Sequence, residues 1–441
     1  MIRTGTILKA EPTDMRARRT KSPRTGKESD IVAAVDIGAS KSLCLIAWLA
    51  DGPDGAKAPE IIGVGMHGAN APRATGRLSA AEASLRAAIE AAERMAGERV
   101  RSATVAMGGR RVICRRIGVD LEVEGGRVTQ EDMGDCLSEG AAAAAGEGSL
   151  AIHALPIGYS VDGEDAGRDP RGLAGATLTA EVLGVGVREA HADNVEALLE
   201  RCNLGLEDIV AAPYAAGEAV LLEDEKDLGV VLIDIGEGST GYAVYEAGAL
   251  VDVGGAPLGG GHITRDIAQI FGAPVREAER LKTLHGAALI GPGDEHRLVE
   301  MRLLAGAEES ARITRAELSA VITPRLEEIL ELVLERLPSS ARARHGLRRA
   351  VLTGGGSLLV GAREAGERIL GMKTRLGRPT SLAGAPDAAT APQFSACAGA
   401  VQLAARARAQ GREARRDLRA PARVASGGVL AGVGAWLRDN F

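Results

Sequence analysis

Aromatic side chains are scarce. Three Phe, four Tyr and two Trp serve 441 residues, too few for the rows of stacking rings on which single-stranded nucleic acid is bound. A positive excess is missing too. With 53 Lys and Arg against 59 Asp and Glu the formal charge is −6, so no global cation awaits a nucleic-acid backbone. The longest uninterrupted apolar stretches, around Leu43–Ala50 and Val230–Ile233, fall far below the ~18 residues of a membrane-spanning helix. The five cysteines (Cys44, Cys114, Cys136, Cys202 and Cys397) are odd in number and widely spaced, with neither CxxC nor zinc-type Cys/His spacing. They read as small buried apolar residues in a reducing compartment. His67, His153, His191, His262 and His285 are equally scattered and are assigned no metal site.

What is present describes an α/β protein with many tight turns: 45% apolar residues and 58 glycines. At ~150 residues per domain the length suggests about three packing units. Met1–Asp30 holds eight Lys and Arg against four acids and lacks an apolar h-region, so residues 1–28 read as a disordered basic tail and not a secretory signal.

An approximate internal repeat carries the most information. Ile31–Val35 runs into Asp36-Ile37-Gly38-Ala39-Ser40-Lys41, and Val230–Ile233 runs into Asp234-Ile235-Gly236-Glu237-Gly238-Ser239-Thr240. In each copy a β-branched strand meets an Asp, a glycine-punctuated turn and a second apolar strand. The copies predict two similar α/β halves, each opening with a hairpin that carries one carboxylate at its tip. Leu78–Met95, Glu189–Cys202, Ile263–His285 and Leu318–Leu337 read as helices, the last broken or started by Pro324. Strand-like segments between Arg101 and Val187, among them Val112–Val123 and Ala176–Val185, predict a small α+β unit inserted into the first half. Ala350–Thr353 is a further strand leading into Gly354-Gly355-Gly356.

Glycine turns let backbone N–H groups approach phosphate without a Cβ in the way. Two of them facing across a cleft grip a polyphosphate from both sides. Asp36 and Asp234 then hold Mg²⁺ through its waters, with Glu237 joining that shell. Ser40, Ser239 and Thr240 offer hydroxyls to phosphate, Lys41 offers a positive charge, and Gly354–Gly356 suit close packing against a base or ribose.

These motifs resemble the actin, Hsp70 and sugar-kinase superfamily and, within it, the FtsA family of bacterial division proteins, from about Ile31 to Phe441. Asp36–Lys41 looks like the first phosphate loop, Asp234–Thr240 like the second and Thr353–Gly356 like the adenosine loop. Glu279-Arg280-Leu281-Lys282, leading into His285-Gly286, looks like the adenosine-contacting helix. Ile61-Ile62-Gly63-Val64-Gly65, Val128-Thr129-Gln130-Glu131-Asp132 and Trp436-Leu437-Arg438 before Phe441 are more specific to the FtsA family. The resemblance implies a two-lobed fold with duplicated ribonuclease-H-like halves: subdomain 1A at residues 29–100 and 188–227, an inserted 1C at 101–187, 2A at 228–265 and 346–403, and 2B at 266–345. It also implies ATP binding, polymerisation on the inner face of the cytoplasmic membrane at the division site, and later division proteins contacting the insertion.

Departures bear on the reaction. Glu237 stands where relatives usually have Gly, and Gly241 replaces an Asp. Ala212 precedes Pro213 where hydrolytic relatives place an acid. Glu218 is the nearest carboxylate, and a helix face is the bland reading of it. No general base is therefore assured, and tight ATP binding with slow hydrolysis is expected.

The resemblance further implies the tubulin-like GTPase FtsZ as partner, its C-terminal peptide meeting subdomain 2B around Ile322-Thr323-Pro324-Arg325 and Glu327-Glu328. Arg325 and Glu328 are the residues expected at that contact. After about Ala404, seven Arg against two acids up to Ser426 read as a basic linker. At 100° per residue Val429, Leu430, Val433, Trp436, Leu437 and Phe441 fall within roughly 140° of arc, an apolar stripe suited to a lipid surface in residues 427–441. An actin-fold small-molecule kinase or phosphatase, and a pilus-assembly adaptor, are the competing readings. The terminal stripe and basic linker discriminate against both.

Overall fold

The computed structural model describes residues 30–51, 57–68, 77–304, 310–338, 347–380 and 382–409. The basic tail at 1–28, most of the linker and the stripe at 427–441 lie outside them. The first lobe is built on a five-stranded sheet of order β3-β2-β1-β4-β9. Its strands are β1 Ile31–Ile37, β2 Lys41–Asp51, β3 Lys57–Gly68, β4 Ser102–Met107 and β9 Gly205–Ala211. β1 to β3 form an antiparallel meander, and β4 and β9 add in parallel beside β1.

The second lobe repeats this pattern in the order β12-β11-β10-β15-β16. Here β10 is Val230–Ile235, β11 Thr240–Glu246, β12 Ala249–Ala256, β15 Arg349–Thr353 and β16 Lys373–Leu376, while β13 Leu298–Arg302 and β14 Ser310–Thr314 pair with each other in a separate two-stranded sheet. The duplication reaches the single residue. Asp36 stands opposite Leu43, and Asp234 stands opposite Gly241. Gly38 N donates to Lys41 O at 3.0 Å, and Gly236 N donates to Ser239 O at 3.1 Å. Each Asp is thus the second-to-last residue of its strand, just before the turn rather than at its tip.

Central strands are buried on both faces because helices cover them. Val32 to Val35 and Val230 to Ile233 are almost fully inaccessible, as near-continuous apolar runs require. The helix Arg77–Ala96 lies on β2 and β3 through Leu85, Ala88, Ile89 and Ala92. It comes so close that a Cβ at Gly65 would stand 1.8 Å from the Ala88 carbonyl oxygen, and one at Gly63 2.3 Å from that of Ala92.

Between β4 and β9 a separate antiparallel sheet of order β5-β8-β6-β7 is inserted. Its strands are β5 Val112–Glu122, β6 Ser149–Val161, β7 Glu164–Gly167 and β8 Thr177–Arg188. The helix Gln130–Ala145 crosses it over a core of Val119, Met133, Cys136, Leu137 and Leu178. Thr129 and Asp132 cap that helix reciprocally: Asp132 N donates to Thr129 Oγ1 at 3.2 Å and Thr129 N to Asp132 Oδ2 at 2.8 Å.

Five expectations need correction, the last of them at Pro324. Arg101–Met107 do not open the insertion, because β4 pairs with β1 and β9 inside the first lobe. The final helix, Ser395–Ala409, packs Cys397, Ala398, Val401 and Ala405 into the first lobe's core and not the second's. That helix also takes in residues 404–409 of the expected linker; its Arg406 pairs with Glu218 at 2.5 Å and its Arg408 with Glu207 at 2.8 Å. Ile263–His285 is two helices, Gly260–Phe271 and Val275–His285, split at Gly272-Ala273-Pro274. Pro324, by contrast, breaks nothing. One helix runs Arg315–Arg336, and it starts at Thr314, whose hydroxyl accepts from Glu317 N.

Candidate functional site

The two hairpin turns meet. A Cβ at Gly238 would lie 3.2 Å from that of Ala39, so the tips of the duplicated halves touch, with Asp36 and Asp234 behind them. Burial pushes the Asp36 carboxyl up to about 6 against the pull of Lys41. Burial and then the field of Asp36 push Asp234 up to about 7, Lys41 again opposing. Two carboxylates therefore share one desolvated space, and each makes the other's charge harder to hold.

The third turn closes on the same point. Gly354 has φ +79°, and a Cβ there would stand 2.2 Å from Asp234 Oδ1 and 2.7 Å from Ile235 O. Only glycine lets the chain pass so close to the carboxylate in this left-handed conformation. Gly355 faces Lys41, whose Nζ would be 3.8 Å from a Cβ there. Burial lowers the Lys41 pKa while Asp36, Glu237 and Glu279 raise it. One cation thus feels acids from the first hairpin, the second hairpin and the helix Val275–His285.

That helix is tied to its neighbour by Thr264. The Thr264 hydroxyl donates to Glu279 Oε2 at 2.5 Å and accepts from Lys282 Nζ at 2.8 Å. Lys282 Nζ also donates to Gly260 O at 3.1 Å and pairs with Glu279 Oε2 at 2.7 Å. The Lys282 ammonium is fixed beside the second hairpin by this set, and the two residues expected from the helix do converge on the cleft.

Two supports escaped the sequence reading. Gly259-Gly260-Gly261 lie under the second turn, where Gly260 N donates to Gly236 O at 2.8 Å and Gly261 N to Glu237 O at 2.9 Å. A run of three glycines after a strand was as legible there as at Gly354–Gly356. Gly108, beyond the end of β4, would place a Cβ 4.0 Å from Ser239 Oγ.

Two expected roles, those of Thr240 and Arg325, fail or shift, while Glu218 lies on a helix as expected. Thr240 offers no hydroxyl to a ligand: it is fully buried and its Oγ1 donates to Leu258 O at 2.8 Å. Glu218 lies on the helix Ala212–Val220 with Lys226 Nζ at 3.0 Å and Arg406 at 2.5 Å. Burial opposes its charge, but Lys226 and Arg406 together hold its pKa below the usual range. A buried carboxylate so paired, its pKa held low, is a weak general base. Arg325 is likewise engaged. Its Nε donates to Asp266 Oδ2 at 2.5 Å and its Nη2 to Asp266 Oδ1 at 3.0 Å, and it also bonds Glu328. This bidentate clamp joins the helices Gly260–Phe271 and Arg315–Arg336, so Arg325 is not a free cation awaiting a peptide. Val429, Leu430, Val433, Trp436, Leu437 and Phe441 lie outside the described residues.

Known proteins sharpen this picture. Residues 231–399 match the family model described as cell division protein FtsA, and residues 109–185 match the SHS2 domain inserted in FtsA. Cell division protein FtsA of Agrobacterium fabrum is 33% identical over 429 residues, covering 95% of this chain and 97% of the relative. That of Escherichia coli K12 is 30% identical over 421 residues, covering 93% and 98%. Among solved structures, the PilM-PilN type IV pilus biogenesis complex aligns at a TM-score of 0.60 and 18% identity, over 85% of this chain and 98% of that one, which speaks for the actin-like two-lobed fold. The insertion, the paired hairpins and identity along nearly the whole length agree: this chain belongs to the FtsA family of cell division proteins.

Proposed function

We propose that this division protein binds ATP between its paired hairpins, polymerises on the cytoplasmic face of the membrane at the division site, tethers FtsZ and recruits later division proteins. The observation that carries the reading is the convergence of Asp36, Asp234 and Gly354 at the contact between the two turns. Gly38, Ser40 and Lys41 face a polyphosphate from one side, and Gly236, Glu237, Gly238 and Ser239 face it from the other. Glu279 and Lys282 flank the nucleoside, and Gly354, Gly355 and Gly356 lie against its base or ribose.

Magnesium fits the donor set. Two buried carboxylates with raised pKa values face one space, while among the described residues no group of three or more His, Cys, Asp or Glu forms a closed metal cage. That pattern suits an ion that keeps its waters and shares the phosphate oxygens. When bound, the ion supplies charge neutralisation on the phosphates. Asp36 and Asp234 would hold it through its waters, the backbone of the two turns would orient the phosphates, and Lys41 would add positive charge. With Glu218 bound to Lys226 and Arg406, no described carboxylate on that helix serves as base, which favours a nucleotide-gated assembly factor over rapid turnover.

Subdomain 2B, roughly residues 266–345, is the proposed FtsZ contact. Arg325 acts there by holding two helices together through Asp266, and Glu328 lies beside it. Among the described residues no helix is long and apolar enough to cross a membrane, and the proposed attachment uses the apolar stripe of residues 427–441. Calorimetric titration of ATP with Mg²⁺ tests the nucleotide reading. Wild type is expected to bind, and Asp234→Asn to lose at least tenfold in affinity for the magnesium complex while keeping its fold. Equal uptake by both, or none by folded wild type, would overturn it.

A further inference from the structure

We propose that Arg110, Arg111, Arg188 and His191 form a second oxyanion site, beside the paired hairpins but separate from them, which takes a phosphate group. The inserted sheet begins with Val112 opposite Val187, so the residues flanking that rung, Arg111 and Arg188, leave the ends of adjacent strands side by side. Arg110 precedes them in the short turn Gly109–Arg111, and His191 follows in the first turn of the helix Glu189–Arg201. All three arginines are exposed residues, although partial burial and then the charge of Arg110 lower the Arg111 pKa.

Like charges on neighbouring strands cost stability, and nearby acids ordinarily relieve them. The same two strands show how. Arg116 on β5 reaches Glu181 on β8 at 3.6 Å and donates to Val251 O at 3.0 Å. Arg110, Arg111 and Arg188 make no such pair among the described residues, and neither does the adjacent Glu189. The field they create is felt locally: after burial, Arg111, Arg188 and Arg110 are what hold the His191 pKa below its usual value. Uncompensated guanidinium forks on one small surface match the oxygens of a phosphate group, which they bind two at a time.

The turn that carries Arg110 and Arg111 is also held in place. Gly109 is buried so tightly that a Cβ would stand 2.2 Å from Gly254 O and 2.8 Å from Pro213 Cγ, and Arg111 N donates to Gly108 O at 2.9 Å. The turn is therefore clamped between β12 and the helix Ala212–Val220, with Gly108 next to Ser239. With that backbone fixed, only the side chains remain to be ordered when an anion arrives.

Free phosphate and a phospholipid headgroup carry the same chemistry, and two arms of one experiment separate them. Both use the full-length chain at low ionic strength, as wild type and as the double variant Arg111→Gln/Arg188→Gln. The first measures equilibrium dialysis of inorganic phosphate, the second co-sedimentation with phosphatidylcholine vesicles with and without phosphatidic acid. A tenfold or greater loss of affinity for phosphate in the double variant, absent in Asp234→Asn, supports the site with free phosphate as its ligand. A loss confined to phosphatidic-acid vesicles assigns it to a headgroup. No difference between wild type and double variant in either arm overturns the proposal. Arg111→Lys/Arg188→Lys, which keeps the charge but not the fork, guards against misfolding and is expected to recover binding in part. Neither arm uses nucleotide, so failure here leaves the ATP reading intact.

Discussion

Asp36 and Asp234 show how much a single position depends on its surroundings. Either carboxyl alone, on an exposed turn, would be ionised above its ordinary value near 3.8; together and buried they reach about 6 and about 7. The native state therefore keeps protons that the unfolded chain sheds, and by linkage their contribution to stability is full below pH 4 and is lost as pH rises through 6 to 7. Urea unfolding of the nucleotide-free protein at pH 5.5 and pH 8 checks this. Asp234→Asn is expected to raise the midpoint at pH 8 relative to wild type and to narrow that gain at pH 5.5. A constant offset between the two proteins would contradict the coupling. The Asp residues and their glycine turns were legible because a duplicated motif stands out against the chain. That Thr240 turns its hydroxyl to Leu258 was not legible, since a Thr one residue beyond a turn faces either way until the sheet's pleat is known.

At the scale of elements, glycine placement decides which helix lies where. The Gly63-Val64-Gly65 pattern in β3 brings the backbone of Arg77–Ala96 almost onto the strand. Gly65→Ala would drive a methyl into the Ala88 carbonyl and force the helix outward. We expect a loss of about 1–3 kcal/mol, the usual cost of overpacking a filled interface, read as a lower urea midpoint with an unchanged slope. An unchanged midpoint would mean that the helix yields freely. Strands and most helices were legible from periodicity. The break at Gly272-Ala273-Pro274 and the continuity through Pro324 were misjudged for one reason: a proline's effect depends on whether neighbouring turns and packing absorb its missing N–H. With Leu318, Ile322, Leu326 and Ile329 all buried against the second core, the helix Arg315–Arg336 continues through Pro324.

At the scale of the whole molecule, the last described helix joins the fold to the chain that follows. Arg406 and Arg408 fasten it to Glu218 and Glu207 of the first lobe, so the segment leading to residues 427–441 leaves from a fixed place. If residues 427–441 form the proposed anchor, six apolar side chains at about 1 kcal/mol each would give ~6 kcal/mol of gross burial in lipid, before the cost of ordering a short helix. A single such anchor binds reversibly. On the proposed polymer several would bind at high effective concentration, and the basic residues preceding each stripe would add attraction to anionic lipid. Deleting residues 427–441 is expected to leave the protein in the supernatant when it is spun with anionic liposomes, whereas the full chain sediments. Sedimentation of the shortened chain would refute the anchor.

Sequence alone determined the duplication, the two acid-bearing hairpins, the inserted α+β unit and the family resemblance, because strand pattern, turn chemistry and repeated motifs are local and survive in one dimension. Only the tertiary structure decided that β4 and the final helix belong to the first lobe, that Glu218 and Arg325 are spent on internal ion pairs, and that Arg111 and Arg188 stand together with no ion-pair partner among the described residues. Pairing and isolation of charges depend on which distant segments the core brings together, and no spacing along the chain encodes that.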